Sequence, residues 1–195
     1  MTDPMKMEGD LIRLREERLE DMDVYRRLRN DLDTQAWSQT LPPDYTQEMV
    51  EGRHKKREFS YDRTDGRFAI VWKETGECIG HIGYSSLEPR WSTSIGITVL
   101  KEFWGTGAAY EAQEILLRFL FEELALRVVR LWTNSGNPGA IGLAEKAGFQ
   151  IAFRQREAVF RKGELYDNVN MDLLRPEYYA RHPELTDGLP PLTDD

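Results

Sequence analysis

Residues 100–121 read LKEFWGTGAAYEAQEILLRFLF, and this stretch decides the fold. Its second half is amphipathic: Ala112, Ile115, Leu116, Phe119, Leu120 and Leu124 fall at i, i+3, i+4, i+7, i+8 and i+12, an apolar stripe along one helix face. Its first half sets Gly105 and Gly107 at the front of that helix, just after WSTSIGITVL, a run rich in β-branched residues that reads as a strand. A strand, a glycine turn and a helix in that order leave backbone N–H groups at the positive end of a helix dipole, a seat for an anion. Two familiar versions of such a seat are excluded. A dinucleotide fingerprint needs a third glycine where this chain has Tyr110, and a P-loop needs a following Gly-Lys-Ser/Thr. Taken alone, the two glycines need do no more than turn the chain sharply.

Working outward, DLIRLRE (residues 10–16) alternates apolar and polar and reads as a strand. EDMDVYRRLRN, with acidic residues first and Val24, Tyr25 and Leu28 at helical spacing, reads as a helix. The Pro-rich loop SQTLPPDYTQEM leads from Thr46 into a second, charged helix, and RFAIVWKETGECIGHIGY is a hairpin. Beyond the opening stretch, RVVRLWT is a strand. NPGAIGLAEKAGF is a short helix, with Asn137 at the N-cap, Pro138 at the first position and Gly148 just past the end. A final hairpin turns at Lys162-Gly163. The order β-α-α-β-β-β-α-β-α-β-β predicts an α/β (α+β) domain with a mixed, mostly antiparallel sheet of about seven strands and helices on both faces. The domain is assigned to residues 1–179, and residues 180–195 to a polar, Pro-rich tail expected to be loosely held.

Composition narrows the function classes. A net charge of −8 argues against nucleic acid or an anionic membrane as partner, since both demand a positive footprint. Cys78 is the single cysteine, so an internal disulfide and a cysteine zinc site are excluded and a cytoplasmic setting is expected. His54, His81 and His182 lack ligand spacing, so no metal is expected. The N-terminal MTDPMKMEGD has no signal-peptide core. Trp72 and Trp132 lie within strands and are expected in the core, as are Trp37 and Trp91 in the first instance.

Trp104-Gly105-Thr106-Gly107-Ala108-Ala109 resembles motif A of the GCN5-related N-acetyltransferase (GNAT) superfamily, Gln/Arg-x-x-Gly-x-Gly/Ala, with Trp in place of Gln/Arg. A companion pattern is present as Asn137-Pro138-Gly139-Ala140, followed by Glu145-Lys146-Ala147-Gly148-Phe149. WGTGAAYEA is similar to the form of the motif common in the RimJ/RimL type of ribosomal-protein alanine acetyltransferase. Gly163-Glu164-Leu165-Tyr166-Asp167 looks like the last turn of that subgroup. The resemblance runs from about residue 9 to about residue 177. It implies acetyl-CoA as co-substrate, an amine acceptor, a sheet splayed between its fourth and fifth strands by a bulge, and room for a homodimer.

The resemblance places the pyrophosphate on the N–H groups of Gly105, Thr106, Gly107, Ala108 and Ala109, with Trp104 and Lys146 beside it. The pantetheine arm would run as an added strand along the main chain of Ile97, Thr98 and Val99. Asn137 serves as helix cap, as cofactor ligand or as both. Trp37, Tyr166 and Asp167 are assigned to the acceptor rim, with turn chemistry the plainer role for Asp167. The chain departs from the family where an acid or base is expected. Ala144 stands where many members have Tyr, Ala140 where some have Ser, and Ser94 where many have Glu. Candidate bases are therefore His81, Glu88 and Ser94. His81 reads equally as a groove-lining residue, Glu88 as a solvated carboxylate, and Ser94 as a relay for water. The expected activity is N-acetyl transfer to a primary amine; the alternative is a catalytically weak acyl-CoA-binding protein.

Overall fold

A computed structural model describes residues 6–37, 43–58 and 64–185; part of the Pro-rich loop (38–42) and the end of the tail (186–195) lie outside the described residues. The strands are Ile12–Glu16 (β1), Gly66–Trp72 (β2), Cys78–Glu88 (β3), Ser92–Val99 (β4), Val128–Asn134 (β5), Gln150–Arg161 (β6) and Glu164–Leu174 (β7). They form a seven-stranded sheet in the order β1-β2-β3-β4-β5-β7-β6. All neighbours are antiparallel except β4 and β5. The helices are Met22–Asn30 (α1), Gln47–Glu58 (α2), Ala108–Arg118 (α3), Pro138–Lys146 (α4) and Arg175–Arg181 (α5). This is the expected mixed sheet, with the one parallel pair where the fourth strand meets the fifth.

The side-chain alternation of the strands sorts the helices onto two faces. On one face Ile12, Leu14, Ile70 and Ile82 pack against Ala112, Leu116 and Leu120 of the α3 stripe and against Ala144 and Ala147 of α4. Tyr178 of α5 closes this core by stacking on Phe121, ring centroids 4.6 Å apart. The apolar stripe continues past α3 through a π-helical turn, Phe119–Glu123, which the sequence periodicity does not distinguish from α-helix. On the opposite face Tyr25 of α1 lies 5.1 Å from the His81 ring of β3, and Met22, Tyr25, Tyr45 and Val50 form a smaller core between α1 and α2.

Local signals hold where a capping or turn residue dictates them. The Asn137 side chain accepts the Ala140 N–H at 3.2 Å, and Gly148 ends α4 at φ +92°. Lys162 and Gly163 both have positive φ (+49° and +89°), as a two-residue hairpin turn requires. Two tryptophans expected in the core lie outside it. Trp91 is 51% exposed, and Trp132 is 48% exposed, because even positions of β5 face away from the α3 core. At the start of the assigned tail, the Arg181 guanidinium donates to the carbonyls of Ala147 and Lys146 at the end of α4.

The start of α1 is fixed to β1 by Asp21, only 5% exposed, which takes two hydrogen bonds from Arg15 (2.7 and 2.8 Å) and one from the Arg18 N–H (2.8 Å). Burial pushes the Asp21 pKa up, but the Arg15 hydrogen bonds and charge and the Arg18 amide outweigh it and hold it below the usual carboxylate value. A depressed folded pKa adds stability above the unfolded value, near 3.9, that is lost as pH falls through the folded one. Urea unfolding from pH 7 to pH 2.5 is expected to show a stability loss below about pH 4. Asp21→Asn should be less stable at pH 7 and lack that part of the acid slope; an unchanged slope would contradict the assignment.

Candidate active site

The parallel pairing of β4 with β5 is short: Ser92, Thr93 and Ser94 lie opposite Val128, Val129 and Arg130, and there it stops. Beyond it Ile95–Val99 and Leu131–Asn134 diverge into a V-shaped gap. On its other side β4 stays regularly paired to β3 from Ser94 to Val99. The expected bulge in β4 is therefore absent; the only shift in that ladder lies in β3, between Ser85 and Glu88. The strands part because their pairing ends, not because an extra residue bends one of them.

The ladder fixes which β4 amides are free. Leu100 N–H bonds the Ile79 carbonyl at 2.8 Å. Alternation then spends the main-chain groups of Thr98, Gly96 and Ser94 on β3 and turns those of Ile95, Ile97 and Val99 into the gap. Of the three residues assigned to the pantetheine arm, Ile97 and Val99 thus face the gap, while Thr98 is paired opposite His81. The Val99 carbonyl already accepts the Trp104 indole N–H at 2.9 Å. Trp104, 51% exposed, is in this way anchored across the mouth of the gap.

At that mouth the chain enters α3. Gly105 and Gly107 have φ of +77° and +97°, a region L side chains rarely adopt. A Cβ at Gly105 would meet nothing within 4 Å, and one at Gly107 only Leu11 Cδ1 at 3.4 Å. Both plain readings of the glycines hold together: the turn needs them, and they leave the backbone open to a ligand. Thr106 Oγ donates to the Phe103 carbonyl (2.8 Å) and accepts the Ala108 N–H (3.3 Å). Among the described residues the N–H groups of Gly105, Thr106, Gly107 and Ala109 have no internal acceptor, as at any uncapped helix start.

Two carboxylates beside this seat are neutralised locally. Glu102 pairs with Arg27 at 2.9 Å. Glu111 accepts the N–H groups of Asp10 (2.6 Å), Leu11 (2.9 Å) and Ile12 (2.8 Å), so the first turn of α3 holds the approach to β1 against itself. Sequence reasoning misses this role, since Glu111 and its three donors lie about a hundred residues apart. Lys146 reaches α3 instead of a free position, its Nζ 3.9 Å from the centre of the Tyr110 ring.

The acceptor-rim residues are brought together. The Trp37 ring meets Tyr166 edge-on at 4.9 Å, carries Arg161 at 4.4 Å over its face, and packs on Gly136, where any Cβ would collide with it. Trp37 thus belongs to this surface cluster and not to the main core. Asp167 accepts the Glu157 N–H at 3.1 Å, and its main chain is doubly bonded to Ser135 (2.9 and 3.0 Å). Its place is to staple the hairpin β6–β7 to the β5–α4 loop. Tyr166 donates to Glu164, and that hydrogen bond raises its pKa.

The three candidate bases are not brought together. Glu88, paired opposite Ser92 and accepting its hydroxyl at 3.1 Å, sits at the closed end of the V; Ser94 marks the fork; His81 lies opposite Thr98, packed against Tyr25. Cys78 is no alternative nucleophile, because burial pushes its thiol up to about 12.

A gap lined by unpaired strand amides, closed at one end and opening on a bare helix N-terminus, is the candidate cofactor groove. The acetyltransferase (GNAT) domain family matches residues 12–150, and the chain belongs to that family. It is similar to an uncharacterized N-acetyltransferase, p20, of Bacillus licheniformis, with 28% identity over 85% of this chain and 93% of the relative. It is also similar to the SPbeta prophage-derived N-acetyltransferase YokL of Bacillus subtilis, with 32% identity over 69% and 72%. The fold matches the spermidine N-acetyltransferase of Vibrio cholerae in complex with CoA and spermine, with a TM-score of 0.78 and 23% identity over 87% and 99% of the two chains. The protein is an acyltransferase with acetyl-CoA as co-substrate.

Gly107→Trp is expected to cost stability, since φ +97° strains any L side chain, and in the folded protein to weaken CoA binding at least about a hundredfold by calorimetry, since bulk would occupy the phosphate seat. Glu111→Ala should lower both thermal stability, by about 1–3 kcal/mol for three orphaned amides at a partly exposed site, and CoA affinity. CoA binding as tight as wild type in a folded Gly107→Trp would place the phosphates elsewhere.

Proposed function

We propose that the chain transfers acetyl from acetyl-CoA to the primary amine of a small molecule or peptide N-terminus, as an enzyme of RimJ/RimL type. The observation that carries this reading is the two-sided gap. The α3 face offers unbonded amides for the pyrophosphate, and the Trp37–Tyr166 cluster at the end of β5 supplies a rim for an acceptor. Acetyl-CoA supplies an activated thioester carbon; the amine lone pair forms the new C–N bond while the C–S bond breaks and the thiolate leaves. Ile97, through its inward-facing N–H, is the donor positioned for the carbonyl oxygen as negative charge builds on it. Ser94 at the fork orders a water that takes the amine proton and passes it to solvent. No side chain takes the place of a general acid, because Ala144 and Ala140 offer no proton; a thiol with reference pKa about 8.5 can leave without one. A cytoplasmic setting fits the lone Cys78 thiol.

The solved spermidine acetyltransferase makes a polyamine one acceptor to test, beside alanine-initiated peptides and aromatic amines. Acetyl-CoA-dependent thiol release with such a panel is expected for at least one primary amine, rising with pH to a plateau without a falling limb up to about pH 9.5. A falling limb that vanishes in Tyr166→Phe would instead make Tyr166 the general acid. Tight CoA binding with no release for any amine would leave only an acyl-CoA-binding protein.

We also propose a homodimer joined through the outer hairpin. Its edge strand β6 carries exposed Ile151, Phe153 and Phe160 (40%, 59% and 71%), with Leu165 of β7 beside them at 54%, an apolar unpaired edge of the kind folds usually cover. Sedimentation should give a dimer, and Phe160→Asp a monomer; a monomeric wild type would refute the assembly.

A further inference from the structure

The rim holds one buried polar group whose bonding is incomplete. Asn134 ends β5 on the diverging arm of the V, four residues past the last β4–β5 pair, and is 1% exposed. Its Nδ2 donates to the Trp37 carbonyl at 2.6 Å. That carbonyl can only accept, so the amide orientation is fixed and the oxygen is left on the other side. Among the described residues Oδ1 has no hydrogen-bond partner. An unsatisfied buried carbonyl oxygen destabilises the fold, and its natural partner is an N–H or O–H donor.

The side chain stands on the acceptor side of the sheet. Val129 and Leu131 turn into the core against α3, so Asn134 alternates to the opposite face with exposed Arg130 and Trp132. Its amide is tied to the main chain of Trp37, whose ring is seated on Gly136 and Tyr166. On this basis, and resting on the transferase reading above, we propose that Asn134 Oδ1 receives an N–H of the acceptor amine. It orients the nitrogen lone pair towards the thioester carbon while the ring of Trp37 shields the contact from water. Asn134 takes no proton; it is a positioning and specificity-determining residue that favours an acceptor carrying a hydrogen-bond donor over one of the same shape without it.

Two variants separate this role from the clamp on Trp37. Asn134→Leu removes both polar atoms, whereas Asn134→Asp loses the donor to the Trp37 carbonyl but keeps an acceptor oxygen. Initial rates with spermidine, 2-phenylethylamine and an alanine-initiated peptide are read alongside calorimetric acetyl-CoA affinity. Expected is a fall of at least about tenfold in kcat/KM for the amine in Asn134→Leu, the weight of one hydrogen bond to a charged or polar donor. Asn134→Asp should stay within about threefold of wild type, with acetyl-CoA affinity unchanged in both. Equal impairment of both variants would reduce Asn134 to a clamp on the loop. No change in either would mean that Oδ1 meets only water, and a matching loss of acetyl-CoA affinity would mean that it meets the cofactor arm; each overturns the proposal. If the wild type itself turns over none of the three amines, the transferase reading fails first and this one with it.

Discussion

The structure depends on an interrupted hydrogen-bond ladder. A parallel pair inside a sheet normally continues as far as both strands last, because each unpaired buried amide costs free energy. Here β4 and β5 part after Arg130, and Ile95, Ile97 and Val99 are left with main-chain groups that no neighbouring strand satisfies. The fold tolerates this because β4 remains regularly paired to β3 on its other edge, and because α3 and α4 close one face of the gap. The protein itself satisfies one end only, by turning the Trp104 indole onto the Val99 carbonyl. The remaining amides sit where an extended amide-bearing arm can complete the sheet. Under the proposed reading, the same feature that weakens the apo fold provides binding energy for the co-substrate.

An acidic protein that binds a polyanion must keep its own carboxylates from repelling it. The solution is local. Glu111, on the first turn of α3 and close to the phosphate seat, has its charge absorbed by three consecutive amides of the segment entering β1. Glu102 is absorbed by Arg27. The seat itself uses main-chain N–H groups, whose partial charges need no lysine or arginine and carry little side-chain entropy. Overall charge therefore says little about whether an anion can bind at one point. It constrains extended anionic partners much more, because they meet the whole surface.

These features differ in how legible they are from the sequence. The α3 stripe, the Asn137 cap, the Lys162-Gly163 turn and the Gly105/Gly107 entry are read directly, because each depends on residues within one or two turns of chain. Trp132 is misread because its strand has one face against the core and one outside it, and residue type does not reveal which. The bulge in β4 is misplaced because a strand can leave its partner simply by ceasing to pair. Glu111 and Asn134 are invisible, since their partners lie 100 and 97 residues away in the chain. The candidate cofactor seat is a local motif and legible as one; the proposed acceptor rim draws on Trp37, the end of β5 and the last hairpin, which the sequence offers only as separate candidates.

That division has a chemical counterpart. The family positions that supply a proton donor or acceptor elsewhere are Ala144, Ala140 and Ser94 here, and the titratable candidates His81 and Glu88 are dispersed along β3 instead of converging on one atom. Acid–base assistance contributes about 10²–10⁴-fold in rate, whereas fixing two reactants in a near-attack geometry contributes considerably more. A thioester, whose leaving group is stable as an anion near neutral pH, can forgo the first contribution if the second is intact. Exact placement of the amine then matters more than its deprotonation by the protein, and a rim held by Trp37, Asn134 and the Asp167 staple is the kind of rigid frame that such placement needs. Selection would act on the shape of that frame, so related chains with the same cofactor seat can differ in acceptor without any change in the residues around Gly105 and Gly107.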